Sequence, residues 1–155
     1  MNKRVILLLS RVFPVYHPKR GKPTGFADNL GRQKIHTIRS DYDRWKHNLD
    51  KVLEKGFLLS VRQWSDKPYN SKQVEVAAFR GAPLGYQRIS MTYDGDTGEI
   101  KAVIDGKRYT DIEQLARNDG LSVQDFKDFI FGACKSNGKQ LFQGIIIHFT
   151  PYRYK

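Results

Sequence analysis

Cysteine is nearly absent from this chain: Cys134 stands alone among 155 residues. A single thiol excludes an internal disulfide framework and a cysteine-rich zinc site. Long apolar runs are missing too. The nearest, Val5-Ile6-Leu7-Leu8-Leu9, follows Lys3 and Arg4 in the manner of a leader peptide. It stops at Ser10-Arg11, short of what a secretory core needs. Both absences fit a reducing compartment, so a cytoplasmic protein with no membrane segment is expected. The four histidines, His17, His36, His47 and His148, never fall three or four residues apart. No metal site of conventional spacing is therefore expected. No glycine-rich loop leads from a strand into a helix with a lysine behind it, which excludes a familiar triphosphate cradle. No serine triad is signalled, and no cofactor is expected.

Acidic side chains are also scarce. There are 16 Asp and Glu against 27 Lys and Arg, a formal net charge of +11. The excess is concentrated. Residues 1–46 carry eleven Lys and Arg and only Asp28, Asp41 and Asp43 as acids. Such a field attracts polyanions, with nucleic acid the first candidate partner. A merely solubilising surface charge is the plain alternative. The length favours one domain spanning 1–155 with a real core, and a monomer is the simplest expectation.

Along the chain, residues 4–13 read as a strand buried on both faces, ended by Pro14. Residues 16–33 form a long basic loop punctuated by Pro18, Gly21, Pro23, Gly25 and Gly31. Loops of this length are functional or disordered. Its Lys19, Arg20, Lys22 and Arg32, interleaved with aromatics, could grip phosphates and stack on bases. Lys34–Arg39 reads as a strand because Ile35, Thr37 and Ile38 are β-branched. Ser40-Asp41 offers a cap for a helix over about 41–55, stopped by Gly56. Phe57–Gln63 and Val74–Phe79 make an antiparallel pair. The turn between them carries Trp64 and Tyr69, a stacking platform or a cover for the core edge. Tyr86–Tyr93 and Glu99–Ile104 flank a hairpin turn. The whole of about 64–109 reads as a peripheral meander, and residues 86–109 show no chemistry. Two helices follow, Asp111–Arg117 and one capped by Ser122. Gly144–Thr150 is dense in Ile and reads as a central strand. Tyr152–Lys155 is a basic aromatic tail.

The stretch Gly31-Arg32-Gln33-Lys34-Ile35-His36-Thr37-Ile38-Arg39 sets a lysine, a histidine, a hydroxyl and two arginines around a strand. An edge strand studded with solvated cations would look similar. The run resembles the signature of the ASCH family, a Gly shortly before Lys-x-x-Thr-x-Arg, which Lys34, Thr37 and Arg39 fill in spacing. Asp119-Gly120-Leu121-Ser122, the helix after it and Phe142–Thr150 resemble that family's closing helix and strand. The resemblance implies an α+β fold, a small PUA-like mixed β-barrel with two or three flanking helices. It also implies an RNA-associated module.

The function expected is binding of RNA, a nucleotide or a modified nucleoside in a basic cleft. The ligand-binding candidates are Lys19, Arg20, Lys22, Arg32, Lys34, His36, Thr37, Arg39, Trp64 and Tyr69. A compact bacterial branch of the family is similar to acetylcytidine amidohydrolases. That likeness implies a second reading, an amidohydrolase acting on an acylated cytidine with Lys34, Thr37 and Asp119 as catalytic residues. A ribonuclease is a third. Asp119 stands where that branch has a glutamate, and His36 where it has an apolar residue. Lys34 would need a lowered pKa, from desolvation or from Arg39 nearby. Lys34 and Thr37 have opposite parity in a regular strand, so both reach one pocket only if Lys34 precedes the strand or a bulge intervenes.

Overall fold

The computed structural model describes residues 3–132 and 138–155. Cys134 lies outside the described residues. The described residues include eight strands, which fall into two sheets. β1 (Arg4–Leu8), β3 (Leu58–Trp64) and β4 (Gln73–Phe79) form one, in the order β1-β3-β4. β2 (His36–Ser40), β5 (Gly85–Asp94), β6 (Ile100–Ile104), β7 (Lys107–Tyr109) and β8 (Lys139–His148) form the other, in the order β2-β8-β5-β6-β7. The second sheet is antiparallel throughout, while β1 pairs with β3 in parallel.

The α+β class therefore holds, but the expected barrel does not. No strand pairs across the two sheets among the described residues. Where a barrel would continue its ladder, one side chain bridges the gap: Arg39 of β2 donates from Nη2 to the Leu8 carbonyl of β1 at 2.6 Å. Among the described residues four helices accompany the sheets, rather than two or three. They are α1 (Phe26–Asn29, a single turn), α2 (Tyr42–Lys55), α3 (Ile112–Asn118) and α4 (Val123–Phe131). None is long and apolar enough to cross a membrane, among the described residues.

Local chemistry explains most of the element ends. Asp41 caps α2 by accepting from the Arg44 amide at 3.3 Å, and Gly56 ends it in the left-handed conformation at φ 71. The buried face of α2 is Trp45, Leu49 and Val52. It packs on strands of both sheets, β1 and β3 on one side, β5 and β8 on the other. That makes α2 the wedge that holds the two sheets in one core. Ser122 caps α4 through the Asp125 amide at 3.2 Å. β3 and β4 pair antiparallel as their sequences predict, with an irregularity at Val61/Arg62.

Two further expectations are corrected. β1 ends at Leu8 and lies at a sheet edge, so Val5 and Leu7 are buried while Arg4 and Ile6 are exposed. One covered face, not two, is what an edge strand over a single core offers. The stretch 86–109 is not peripheral either. β5 pairs with β8 on one side and β6 on the other, in the middle of its sheet. The hairpin pattern is the same at an edge or in the centre, and the pairing with β8 comes from sequence far away.

The loop over 16–33 is anchored rather than loose. Tyr16 donates its hydroxyl to the Phe129 carbonyl at 2.7 Å. Buried His17 accepts on Nδ1 from the Lys19 amide at 3.0 Å, and its Nε2 lies 3.2 Å from the Asp125 carbonyl. Thr24 donates to the Ser10 carbonyl at 2.7 Å.

Candidate functional site

Lys34 does lie before its strand, in an isolated bridge to Asp119 at the end of α3. Its backbone is gripped from both sides. Its amide donates to the Asn29 carbonyl at 3.0 Å, and the Ile35 amide donates to the Asn118 carbonyl at 2.8 Å. Gly120, at φ +82, makes the approach possible, since a Cβ there would stand 3.1 Å from the Cβ of Lys34.

The Lys34 side chain is 1% exposed. Its ammonium donates to the Asp119 carbonyl at 2.9 Å and to Asp119 Oδ1 at 3.2 Å. It also sits 3.9 Å from the centre of the Phe26 ring of α1. An ammonium has three donors. Two hydrogen bonds and one aromatic face account for all of them. Burial pulls the Lys34 pKa below its usual range, opposed by Asp119 and reinforced by Arg39. Asp119 lies at the C-cap of α3, where the negative end of the helix disfavours a carboxylate. The ammonium offsets that repulsion.

Asp119 also joins a buried chain whose polarity can be assigned atom by atom. A carboxylate only accepts, so His36 must donate from Nδ1 to Asp119 Oδ1, at 3.2 Å. Burial lowers the His36 pKa and favours the neutral ring. Its Nε2 then accepts the Tyr154 hydroxyl proton at 2.7 Å. The Tyr154 oxygen in turn accepts from Asn118 Nδ2 at 2.9 Å. A second branch runs through Gln87. Its Oε1 accepts from the Tyr154 amide at 2.9 Å and from His148 Nε2 at 3.0 Å. Its Nε2 donates to the Tyr154 carbonyl at 2.8 Å and to Asp105 Oδ2 at 2.9 Å. His148 is fully buried, and burial brings its pKa down to about 3.

Thr37 is buried, and its hydroxyl bonds to neither Lys34 nor Asp119. Strand alternation puts Thr37 and Arg39 on the face of β2 opposite His36. The three residues of the amidohydrolase reading thus come together only as the pair Lys34 and Asp119.

The basic and aromatic candidates meet elsewhere. A cleft of about 560 Å³ opens between the segment Leu8–Val15 and the turn after β3. Arg11, Arg20, Arg39, Trp64 and Tyr69 line it, with Asp66 the one acid of its wall. Asp66 stands 3.6 Å from Arg11, and both side chains are solvated. With three arginines against one aspartate, the wall keeps a net positive charge. Arg39 is the inner member. Its Nε is buried with no hydrogen-bond partner, and burial brings its pKa down to about 10. Among the described residues no carboxylate makes an ion-pair contact with it, although the charge of Asp119 partly opposes that shift. Lys19 is occupied by an ion pair with Asp125 at 2.7 Å, and exposed Lys22 and Arg32 do not line the cleft.

A second cleft of about 510 Å³ is lined by Asp41, Asp43 and Asp105, with the Arg88 guanidinium 3.8 Å from the Tyr42 ring centre. Its acids make it unsuited to phosphate. Among the described residues, no three His, Cys, Asp or Glu side chains gather to hold a metal ion.

Gln87, Asn118 and Tyr154 are site residues that the sequence reading does not reach. Only Gln87 carried a signal, as a polar residue sharing the inward parity of Ile89 and Met91 on β5. No family model, no curated protein and no solved structure matches the chain.

Proposed function

We propose that this protein binds RNA or a nucleotide, through its phosphate, in the cleft lined by Arg11, Arg20 and Arg39. One observation carries the proposal. Arg39 is a largely desolvated cation whose Nε has no hydrogen-bond partner; Nη2 donates to the Leu8 carbonyl, and Asp119 acts on it only through its field, without an ion-pair contact among the described residues. Buried charges are normally paired, and an unsatisfied donor on a charged group costs more than a neutral one. A phosphate oxygen would satisfy it, and arginine suits that geometry. Arg11 and Arg20 add charge at the cleft wall, within the basic first third of the chain. The resemblance of Gly31–Arg39 to the ASCH signature supports the same reading.

On this account the Lys34–Asp119–His36 cluster is the scaffold that fixes β2, and with it Arg39. The test is titration of a labelled single-stranded RNA by fluorescence anisotropy at rising salt. Affinity is expected to fall linearly on a log–log plot, with a slope of about −0.7 per phosphate contacted. Binding that ignores salt would contradict the proposal.

A second reading, an amidohydrolase acting on an acylated cytidine, draws on the contact and lowered basicity of Lys34. It needs Thr37 to join the pair and a substrate to reach a closed cluster. Incubation with acetylcytidine tests it. Deacetylation that disappears in Thr37→Val, with the fold intact, would support it. An unchanged substrate would end it.

A further inference from the structure

We infer that the cleft is built for an unstacked base beside its phosphate, so that it takes a single-stranded polynucleotide and rejects a duplex. The inference rests on the phosphate reading of Arg39 and adds what the rest of the cleft does. A bare polyanion site needs only cations. This one has an apolar floor, made by Leu8, Val12, Phe13 and Pro14, and an aromatic wall. The wall is Trp64 and Tyr69, with ring centres 5.2 Å apart and planes tilted by 48°.

Tyr69 is the unusual member. Its side chain is 85% exposed, and its backbone holds φ 66, a left-handed conformation that a bulky residue rarely adopts. The turn that carries it is tied down. Ser71 Oγ donates to the Lys67 carbonyl at 2.7 Å and accepts from the Asp66 amide at 3.1 Å. The Ser65 amide closes the loop on the Lys72 carbonyl at 2.8 Å. A large ring is therefore presented to solvent on a braced turn, at a cleft that Arg20 also lines. Strain of this kind concentrates at functional sites.

The ligand's chemistry follows from that combination. In a duplex the base faces are covered by their neighbours, and an A-form helix offers mainly its phosphates and 2′-hydroxyls. In a single strand each base has a free face within reach of its own phosphate. Aromatic side chains stack on such faces whatever the base. Neither wall belongs to the stretch that resembles the ASCH signature, so this selectivity would be a property of the segments 16–33 and 64–72 in this chain.

The experiment uses the full chain and four probes: a short single-stranded RNA, the DNA strand of the same sequence, the RNA duplex, and inorganic tripolyphosphate. Both single strands are expected to bind at least about tenfold tighter than the duplex. They should quench tryptophan fluorescence through Trp64, since Trp45, the other tryptophan, is buried in the core. Tyr69→Ala should weaken single-strand binding by about tenfold and leave tripolyphosphate binding unchanged. Trp64→Phe should abolish the quenching but keep most of the affinity. Equal binding of duplex and single strand, lost together in Arg39→Met, would overturn the base-stacking inference and leave the phosphate site standing. A Tyr69→Ala variant that binds single strands like the parent would overturn it too. No binding of any probe would overturn both.

Discussion

The Lys34 ammonium and Asp119 meet twice, once at the main-chain carbonyl and once at the carboxylate, at 2.9 and 3.2 Å. With the Phe26 ring on its third side, the ammonium has no donor left for a ligand. Its work is to lock the entrance of β2 onto the end of α3. Lys34→Met would leave a carboxylate and an imidazole buried without their cation. Removal of one partner from a buried pair costs about 3–5 kcal/mol. Urea unfolding of Lys34→Met against the parent measures this. An unchanged midpoint would remove the scaffold role.

Tyr154 closes the same network from the C-terminal tail. Tyr154→Phe keeps the ring but leaves His36 Nε2 and Asn118 Nδ2 without their common partner. The expected loss is about 1–3 kcal/mol, the cost of stranding buried polar groups. Thermal unfolding reads it, and a variant as stable as the parent would show that the hydroxyl is dispensable.

Acid should act through His148. Burial holds its folded pKa at about 3, against 6.5 for a free imidazole. Between those values the unfolded chain binds the extra proton, so stability falls as pH drops through the window. Below pH 3 both states carry the proton and this contribution no longer changes. The loss is on the order of a few kcal/mol. His148→Gln should reduce the proton uptake of unfolding near pH 5 by roughly one. Stability curves measured across that range for both proteins make the comparison. An identical slope would show that His148 does not titrate on unfolding.

Much of this architecture was legible because it is local. The Asp41 cap, the apolar face of α2, the Gly56 stop and the β3–β4 pairing are each written within a few residues. The site was legible only in part. The grouping of Lys34 with Asp119 is what the ASCH resemblance implies, but it implies nothing of their partners. Tyr154 reads only as part of a basic aromatic tail, yet it is 7% exposed at the centre of the network. That outcome depends on Gln87 and Asn118, which no periodicity links to residue 154. His36 departs from the ASCH-like pattern, and the structure gives it the bond that joins Asp119 to Tyr154. The open arrangement of two sheets was hidden for the same reason. Whether β1 and β2 close a barrel is decided by long-range pairing, and here the Arg39 side chain stands at that gap.

Arg39→Met tests the account most directly, with stability and RNA binding measured on the same preparation. Arg39→Met removes the Nη2 bond to the Leu8 carbonyl and, with it, the buried unsatisfied Nε, so the two effects oppose and the unfolding free energy should fall by no more than about 1–2 kcal/mol. Single-stranded RNA affinity should fall by about tenfold or more, and the salt slope should shrink by roughly one phosphate contact. A variant that keeps both its RNA affinity and its salt slope would contradict the assignment of this cleft as the phosphate site.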